Sequence, residues 1–333
     1  MVSALEHKRK RRLKPAATNI KMKKAFVNNP PQSPFRKGGG CSKRGRGLLI
    51  NFAFTLLAVF IFAIPSYAKE KPMKVMASIF PVADMARQIG GEHVEVHTIL
   101  PPGASPHVFE PAPSVLKEFS RASLFLKIGA GLDLWADRLM AAAPRDMKAI
   151  TLSEGLPLIG KDKFGRANPH VWLDPVLVIE MVQKIEKALS EIDPAHAPGY
   201  RKNAAAYIKE LRELDAEIRN TVSGFMVKRY VSFHAAWDYF ARRYGLINEG
   251  VIDEVPGREP TPQKVRALIR KIKEKNIKAI FAEAQFNPRT AEVIAREAGA
   301  RVVILDPEGS IAGGSYIKLM RFNVARMKEA MGE

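Results

Sequence analysis

Three of the seven histidines lie where a side chain can be held in place to bind an ion. His107 lies in the loop 100–111, which contains four prolines and a glycine. His170 lies between Pro169 and Asp174-Pro175, and His234 follows the apolar run 230–233. Proline restricts its own backbone and that of the preceding residue, so these loops are stiff. Imidazole is a preferred ligand of Zn²⁺, and the pattern predicts that the three histidines converge on one metal ion.

The other four histidines are expected to play no part in this site. His7 belongs to the amino-terminal leader, and His93 and His97 lie among acidic residues beside a predicted strand. We interpret His93 and His97 as solvated surface groups. His196 lies near the start of a long predicted helix and is expected to be exposed. Imidazoles also serve as structural hydrogen-bonding groups, so position in the chain, rather than residue type, separates the two sets.

Strand and helix patterns alternate along the chain from residue 74 onward. Apolar runs such as 74–80, 94–100 and 122–128 are separated by helical segments. This alternation predicts an α/β fold with mainly parallel sheets and flanking helices. In such sheets ligands bind beyond the carboxyl ends of the strands. His234, Glu283 and Asp306 each follow a predicted strand in the second half, so we expect them at one edge of its sheet.

One long helix, at about 196–222, is expected to join two lobes. Apolar residues recur there at spacings of three and four: Tyr200, Ala204, Tyr207, Ile208, Leu211, Leu214 and Ile218. At about 1.5 Å per residue the helix would be about 40 Å long. We interpret it as a rigid spine within a linking segment 193–222, between an amino-terminal lobe, 69–192, and a carboxy-terminal lobe, 223–333.

The first 68 residues are typical of a leader that is removed on export. Fourteen of the 53 lysines and arginines, and one of the 34 acidic residues, lie in the first 46 positions. The basic region 1–47 is predicted to be disordered or to reflect a misplaced start. The apolar segment 48–68 ends in Ser66-Tyr67-Ala68, which predicts a signal peptide cleaved after Ala68. The alternative is a permanent membrane anchor. The single cysteine, Cys41, precedes cleavage, so the mature chain would contain neither a disulfide nor a thiolate ligand.

Several segments together resemble the solute-binding proteins of zinc and manganese ABC transporters. The resemblance covers about residues 73–331 and rests on segments that occur in the family's order. These are Pro106–Pro111, Asn168–Asp174, Ser232–Phe240, Glu259–Pro262, Phe281–Phe286 and Tyr316–Asn323. It implies two α/β lobes joined by one long helix, with the metal in the cleft between them. It also implies a periplasmic receptor that delivers the ion to an ABC permease.

The resemblance also implies a set of ligands. His107 and His170 match the family's two ligands from the first lobe, and His234 matches the third. Asp306 occupies the place of the fourth, an aspartate, and Glu283 matches an acidic position that could orient an imidazole. Whether Asp306 or a water completes the shell is left open.

Two alternatives concern the ion and the chemistry. The segment 155–169 lacks the histidine-rich loop of many zinc-specific relatives, which leaves manganese or iron open. Three imidazoles with one carboxylate favour Zn²⁺ over Mn²⁺. A secreted zinc hydrolase would need a metal-bound water and a base such as Glu110 or Glu283, but no hydrolase signature is present.

We therefore expect a monomeric receptor that is not an enzyme. Since most of the excess positive charge precedes the signal peptide, we expect no nucleic-acid partner. Acid should weaken metal binding as the imidazoles take up protons near a pKa of about 6.5.

Overall fold

The computed structural model describes residues 71–160, 165–253, 260–311 and 313–332. The predicted basic region 1–47 and signal peptide 48–68 lie outside the described residues. The described residues belong to one compact unit. None of the helices in these ranges combines the length and the apolar character needed to cross a membrane.

Two four-stranded parallel sheets form the frame. The first contains β1 (Met73–Ala77), β2 (Val94–Thr98), β3 (Leu124–Lys127) and β4 (Lys148–Thr151), in the order β2-β1-β3-β4. The second contains β5 (Arg229–Ser232), β6 (Ile247–Val251), β7 (Ala279–Glu283) and β8 (Arg301–Leu305), in the order β6-β5-β7-β8. All six strand pairs are parallel. Each sheet therefore gathers the carboxyl ends of its strands at one edge.

Helices flank both sheets, which confirms the predicted α/β fold. Those that accompany the first sheet are α1 (Phe80–Gly90), α2 (Pro113–Phe119), α3 (Ala136–Met140) and α4 (Pro175–Ile192). The long helix α5 (Ala197–Ser223) follows, and α6 (Asp238–Tyr244), α7 (Pro262–Glu274), α8 (Arg289–Ala298) and α9 (Tyr316–Met331) accompany the second sheet. Prolines in the first turns of α1, α2, α4, α5 and α7 help to fix where those helices begin.

The helix α5 lies at the position where the sequence predicts the spine. Its 27 residues bury one face: Ala197, Tyr200, Ala204, Tyr207, Leu211, Leu214, Ile218 and Val222. Apart from Ala197, that face belongs to a single hydrophobic cluster that contains Leu126 of β3, Leu211 of α5 and Phe281 of β7, all fully buried. The apolar core therefore continues from the first sheet, past α5, to the second sheet. The lobe boundaries drawn from the sequence stay predictions.

The strand β4 is an element that the sequence analysis did not predict. Lys148–Thr151 pairs with β3 at the edge of the first sheet, and none of its four residues is fully buried. A short edge strand does not need the continuous apolar run that marks a central strand. Its pairing with β3, rather than its own composition, places β4 in the sheet.

Candidate metal centre

Trp135 holds the loop of His107 on both sides of the histidine. Its indole Nε1 donates a hydrogen bond to the carbonyl oxygen of Pro106 at 3.1 Å. Its ring meets Phe109 edge-on, with ring centroids 5.2 Å apart. The prolines already restrict this loop, and Trp135 fixes it to the first lobe. His107 is therefore presented on a rigid support rather than on a free loop.

Asn168 orients His170. Its Oδ1 lies 2.8 Å from His170 Nδ1 and also accepts from the His170 backbone N–H at 3.0 Å. Its Nδ2 donates to the carbonyl oxygen of Ala235 at 2.6 Å, and its own carbonyl accepts from the Tyr239 hydroxyl at 2.8 Å. Because an amide oxygen only accepts, His170 carries its proton on Nδ1. The lone pair of Nε2 is then available for a metal.

Glu283 plays the corresponding part for His234. Its Oε2 lies 2.5 Å from His234 Nδ1, and both side chains are buried. The strand order explains why the two residues meet, because β5 and β7 are neighbours and their carboxyl ends lie side by side. The contact is one of charge, because His234 Nδ1 makes no hydrogen bond within the described residues. A carboxylate at Nδ1 still favours a proton there and leaves Nε2 free to bind. The contact is compatible with the orienting role that the sequence analysis expected for Glu283, and that role stays a prediction.

The three histidines converge. His170 Nε2 lies 3.2 Å from Nε2 of both His107 and His234. The ligand nitrogens of all three residues lie within 4.8 Å of one another. Two nitrogens bound to a tetrahedral zinc ion at about 2.0–2.1 Å would stand about 3.3 Å apart. Since His170 and His234 both face the centre with lone pairs, a cation between them removes their mutual repulsion.

Burial changes how two of these imidazoles titrate. It lowers the pKa of His107 to about 3, and the charges of His234 and Arg166 add to this effect. It also lowers the pKa of His170 well below its usual value, with His234 and His107 adding to the shift. The expectation of ordinary titration near 6.5 is therefore wrong for these two residues. Their neutral, metal-binding forms persist to lower pH.

Asp306 lies just beyond β8, at the predicted edge of the second sheet, and is fully buried. Its Oδ1 accepts from the backbone N–H groups of Gly309 at 2.8 Å and Ser310 at 3.0 Å, and its Oδ2 accepts from that of Ile311 at 2.6 Å. The carboxylate thus organises its own loop. Within the described residues, the ligand atoms that lie within 4.8 Å of one another come from the three histidines, without Asp306. Its role as the fourth ligand stays a prediction.

Glu308 is a buried carboxyl that the sequence analysis did not single out. The residue is 7% exposed. Among the described residues, neither its Oε2 nor Oε1 of Glu283 has a hydrogen-bond partner. Burial raises the pKa of Glu308 well above its usual value, and the charges of Glu283 and Asp306 raise it further. The sequence signal that could have indicated this residue is its position directly after Asp306-Pro307. Together, the carboxyl groups of Glu283, Asp306 and Glu308 favour a cation nearby.

The remaining histidines that the structure describes lie outside the cluster. His97 contacts Glu95 at 2.8 Å, in keeping with a surface role. His93 and His196 are partly buried, as His97 is, and the unexpected feature is that their rings stack with centroids 3.8 Å apart. His196 Nδ1 also lies 2.7 Å from Asp193 Oδ2. They pack where the turn after α1 meets the start of α5, which sequence spacing does not reveal.

Comparison with known families shows a match that covers most of the chain. The sequence profile of the family described as zinc-uptake complex component A, periplasmic (ZnuA), matches residues 75–330. This range includes all three clustered histidines, Glu283 and Asp306.

Curated relatives carry the names of metal-binding proteins. The zinc-binding lipoprotein AdcA of Streptococcus pneumoniae is 27% identical over 296 residues, which cover 83% of this chain and 59% of that protein. The chain thus spans less than two thirds of the length of that relative. The manganese ABC transporter substrate-binding lipoprotein PsaA of Streptococcus mitis is 26% identical, over 85% of this chain and 98% of that protein.

A solved structure has the same fold over the described lobes. A crystal structure of ZnuA superposes with a TM-score of 0.73 at 33% sequence identity. The match covers 78% of this chain and 99% of the other.

Proposed function

Because the chain belongs to the family of zinc-uptake complex component A, we propose that it is a receptor that captures zinc outside the cytoplasmic membrane and delivers it to an ABC import permease. The observation that carries the proposal is the convergence of three imidazole Nε2 atoms, two pairs of them 3.2 Å apart. Zinc in this role is cargo. Coordination captures it, and interaction with the permease releases it.

Zinc is the ion that this donor set favours. Three neutral imidazoles suit Zn²⁺, whereas Mn²⁺ prefers more oxygen ligands. The orienting contacts of Asn168 and Glu283 leave Nε2 as the donor atom on two of the rings. PsaA, a relative that the chain matches over 98% of its length, has a name that refers to manganese. Manganese or iron is therefore the alternative cargo within the same function.

Binding rather than catalysis accounts for the acidic residues near the centre. A hydrolytic zinc site needs a base that can reach a metal-bound water. Glu283 contacts His234, and Glu110 is exposed and paired with Arg138 at 2.5 Å. Glu110 is thus paired away from the centre and Glu283 lies against an imidazole ring, which supports a receptor and not an enzyme.

The leader and the assembly state complete the proposal. A signal peptide cleaved after Ala68 would place the mature chain, beginning at Lys69, in the periplasm. The receptor is proposed to act as a monomer, because its ligands come from one chain. Intact-mass analysis of the exported protein tests the cleavage site, and light scattering tests the monomer.

The test of the function is a metal titration with matched variants. Zinc binds the native state only, so it should raise the melting temperature of the parent through mass action. His107→Ala removes one ligand and should reduce this rise, while His97→Ala, which changes a histidine outside the cluster, should keep it. Competition with manganese at neutral pH should leave zinc bound. Equal melting shifts in the parent and both variants, or a preference for manganese, would contradict the zinc centre.

A further inference from the structure

A chain of buried hydrogen bonds joins the two lobes beside the metal centre. The indole Nε1 of Trp172 donates to the carbonyl oxygen of Pro307 at 2.9 Å. The hydroxyl of Tyr316 donates to the carbonyl oxygen of Trp172 at 2.7 Å. The backbone N–H of Tyr316 donates to Asp84 Oδ2 at 2.8 Å. Trp172 and Tyr316 are fully buried and Asp84 is 3% exposed.

These contacts involve both segments that carry the predicted ligands. Trp172 lies two residues after His170, in the short 3-10 turn Val171–Leu173 of the first lobe. Pro307 lies between Asp306 and Glu308 in the second lobe, and Tyr316 opens α9 behind that loop. The hydrogen bonds from Trp172 and Tyr316 therefore connect the His170 segment to the opposite half of the centre.

Close packing reinforces the same junction. Gly309 has a positive φ of 82°, and a Cβ placed on it would lie 2.3 Å from the ring of Phe80 in α1. Only glycine allows the loop after Asp306 to approach the first lobe this closely. The loop is thus held against α1 by shape as well as by hydrogen bonds.

Breaking this junction leaves polar groups buried without partners, which is costly in an apolar interior. The junction consists of protein groups alone and needs no ion. A site whose ligands are already held in place loses less conformational freedom on binding, and therefore binds more tightly. Contacts that fix the two lobes in advance thus act on metal affinity without touching the metal.

We propose that Trp172 and Tyr316 are positioning residues of the metal centre, which hold the His170 segment against the loop 306–308 before the ion arrives. The inference rests on the function proposed above and adds a physical origin for its affinity. It predicts a metal-free protein whose lobes already stand at the metal-bound distance.

The test compares two tyrosines that lose the same group. Tyr316→Phe removes the donor to Trp172, whereas Tyr200→Phe removes a partly buried hydroxyl that donates to Asp193 at 2.6 Å, within the linking segment 193–222. We expect Tyr316→Phe to release zinc about tenfold faster than the parent, and Tyr200→Phe to stay within about twofold. Stopped-flow transfer of zinc to a chelating dye measures both rates. If Tyr316→Phe cannot be purified folded, Trp172→Phe takes its place with the same expectation.

A second measurement separates positioning from general stability. Spin labels at Lys117→Cys in the first lobe and Lys273→Cys in the second, in a Cys41→Ser background, report the distance between lobes in metal-free protein. The distribution should be narrow in the parent and in Tyr200→Phe, and broader in Tyr316→Phe. Equal zinc release rates and equal distance distributions for the two tyrosine variants would overturn the inference. If the parent binds zinc in that case, the proposed function still stands. A parent that binds no zinc would overturn the function itself.

Discussion

The contact between Glu283 and His234 makes a quantitative prediction for Glu283→Gln. The substitution keeps the size of the side chain but removes the negative charge 2.5 Å from His234 Nδ1. That charge holds the proton on Nδ1 and strengthens Nε2 as a ligand. Loss of such an orienting carboxylate typically weakens metal binding by about 10–100-fold. The expected loss of zinc-binding free energy is therefore about 1.4–2.7 kcal/mol.

The same substitution should not destabilise the metal-free protein. Oε1 of Glu283 has no hydrogen-bond partner among the described residues, and the charge of Glu283 helps to raise the pKa of Glu308. A glutamine at position 283 carries no charge, which relieves this repulsion in the absence of metal. We expect the melting temperature of the metal-free variant to equal or exceed that of the parent.

Glu249→Gln is the matched control, because Glu249 is also a buried glutamate of the second lobe. It forms an ion pair with Lys275 at 2.6 Å and a second with Arg229. Loss of the Glu249 charge should lower the metal-free melting temperature and leave zinc affinity unchanged. Glu283→Gln should do the opposite on both measures. Competition with a chelating dye gives the affinities, and calorimetry gives the melting temperatures. Parent-like zinc affinity in Glu283→Gln would refute the orienting role.

Three further predictions concern titration and the fourth ligand. The pKa of His107 is about 3 in the folded chain and 6.5 in the unfolded chain, so the unfolded state takes up the proton first as the pH falls. The free energy of unfolding of the metal-free protein, measured in urea, should therefore fall by about 2 kcal/mol between pH 7 and pH 5. An equal fall in His107→Gln would contradict this. Because the pKa of Glu308 is raised in the folded chain, the folded state loses stability as the pH rises through that pKa. Glu308→Gln removes this loss and should raise the metal-free melting temperature more at pH 8 than at pH 4. Asp306→Asn should weaken zinc binding, and unchanged affinity would remove Asp306 from the ligand set.

The sequence was sufficient to single out the three histidines that cluster, because each stands at a stiff turn or a strand end. The alternation of elements placed His234, Glu283 and Asp306 at one sheet edge, and the spacing of Tyr200 to Ile218 predicted α5. These inferences rest on local backbone restraint and on period, which a linear sequence records directly.

Properties that depend on three-dimensional proximity could not be predicted in this way. The lowered pKa of His107 arises from burial beside His234 and Arg166, and neither neighbour is near it in sequence. The hydrogen bond from Trp172 to Pro307 joins residues 135 positions apart, and no sequence pattern predicts which group accepts a hydrogen bond from a tryptophan. The strand β4 gains its place from β3, because its own residues are too few and too exposed to signal a core strand.

The continuous core that includes Leu126, Leu211 and Phe281 has a consequence for how the protein unfolds. Two domains with separate cores can melt independently, but here the disruption of either sheet exposes apolar surface that the other sheet and α5 share. The lobes should therefore lose their structure in one cooperative transition, with equal calorimetric and van't Hoff enthalpies. Zinc bound at the three histidines, as proposed, should then protect both sheets together, including strands that lie far from the ion.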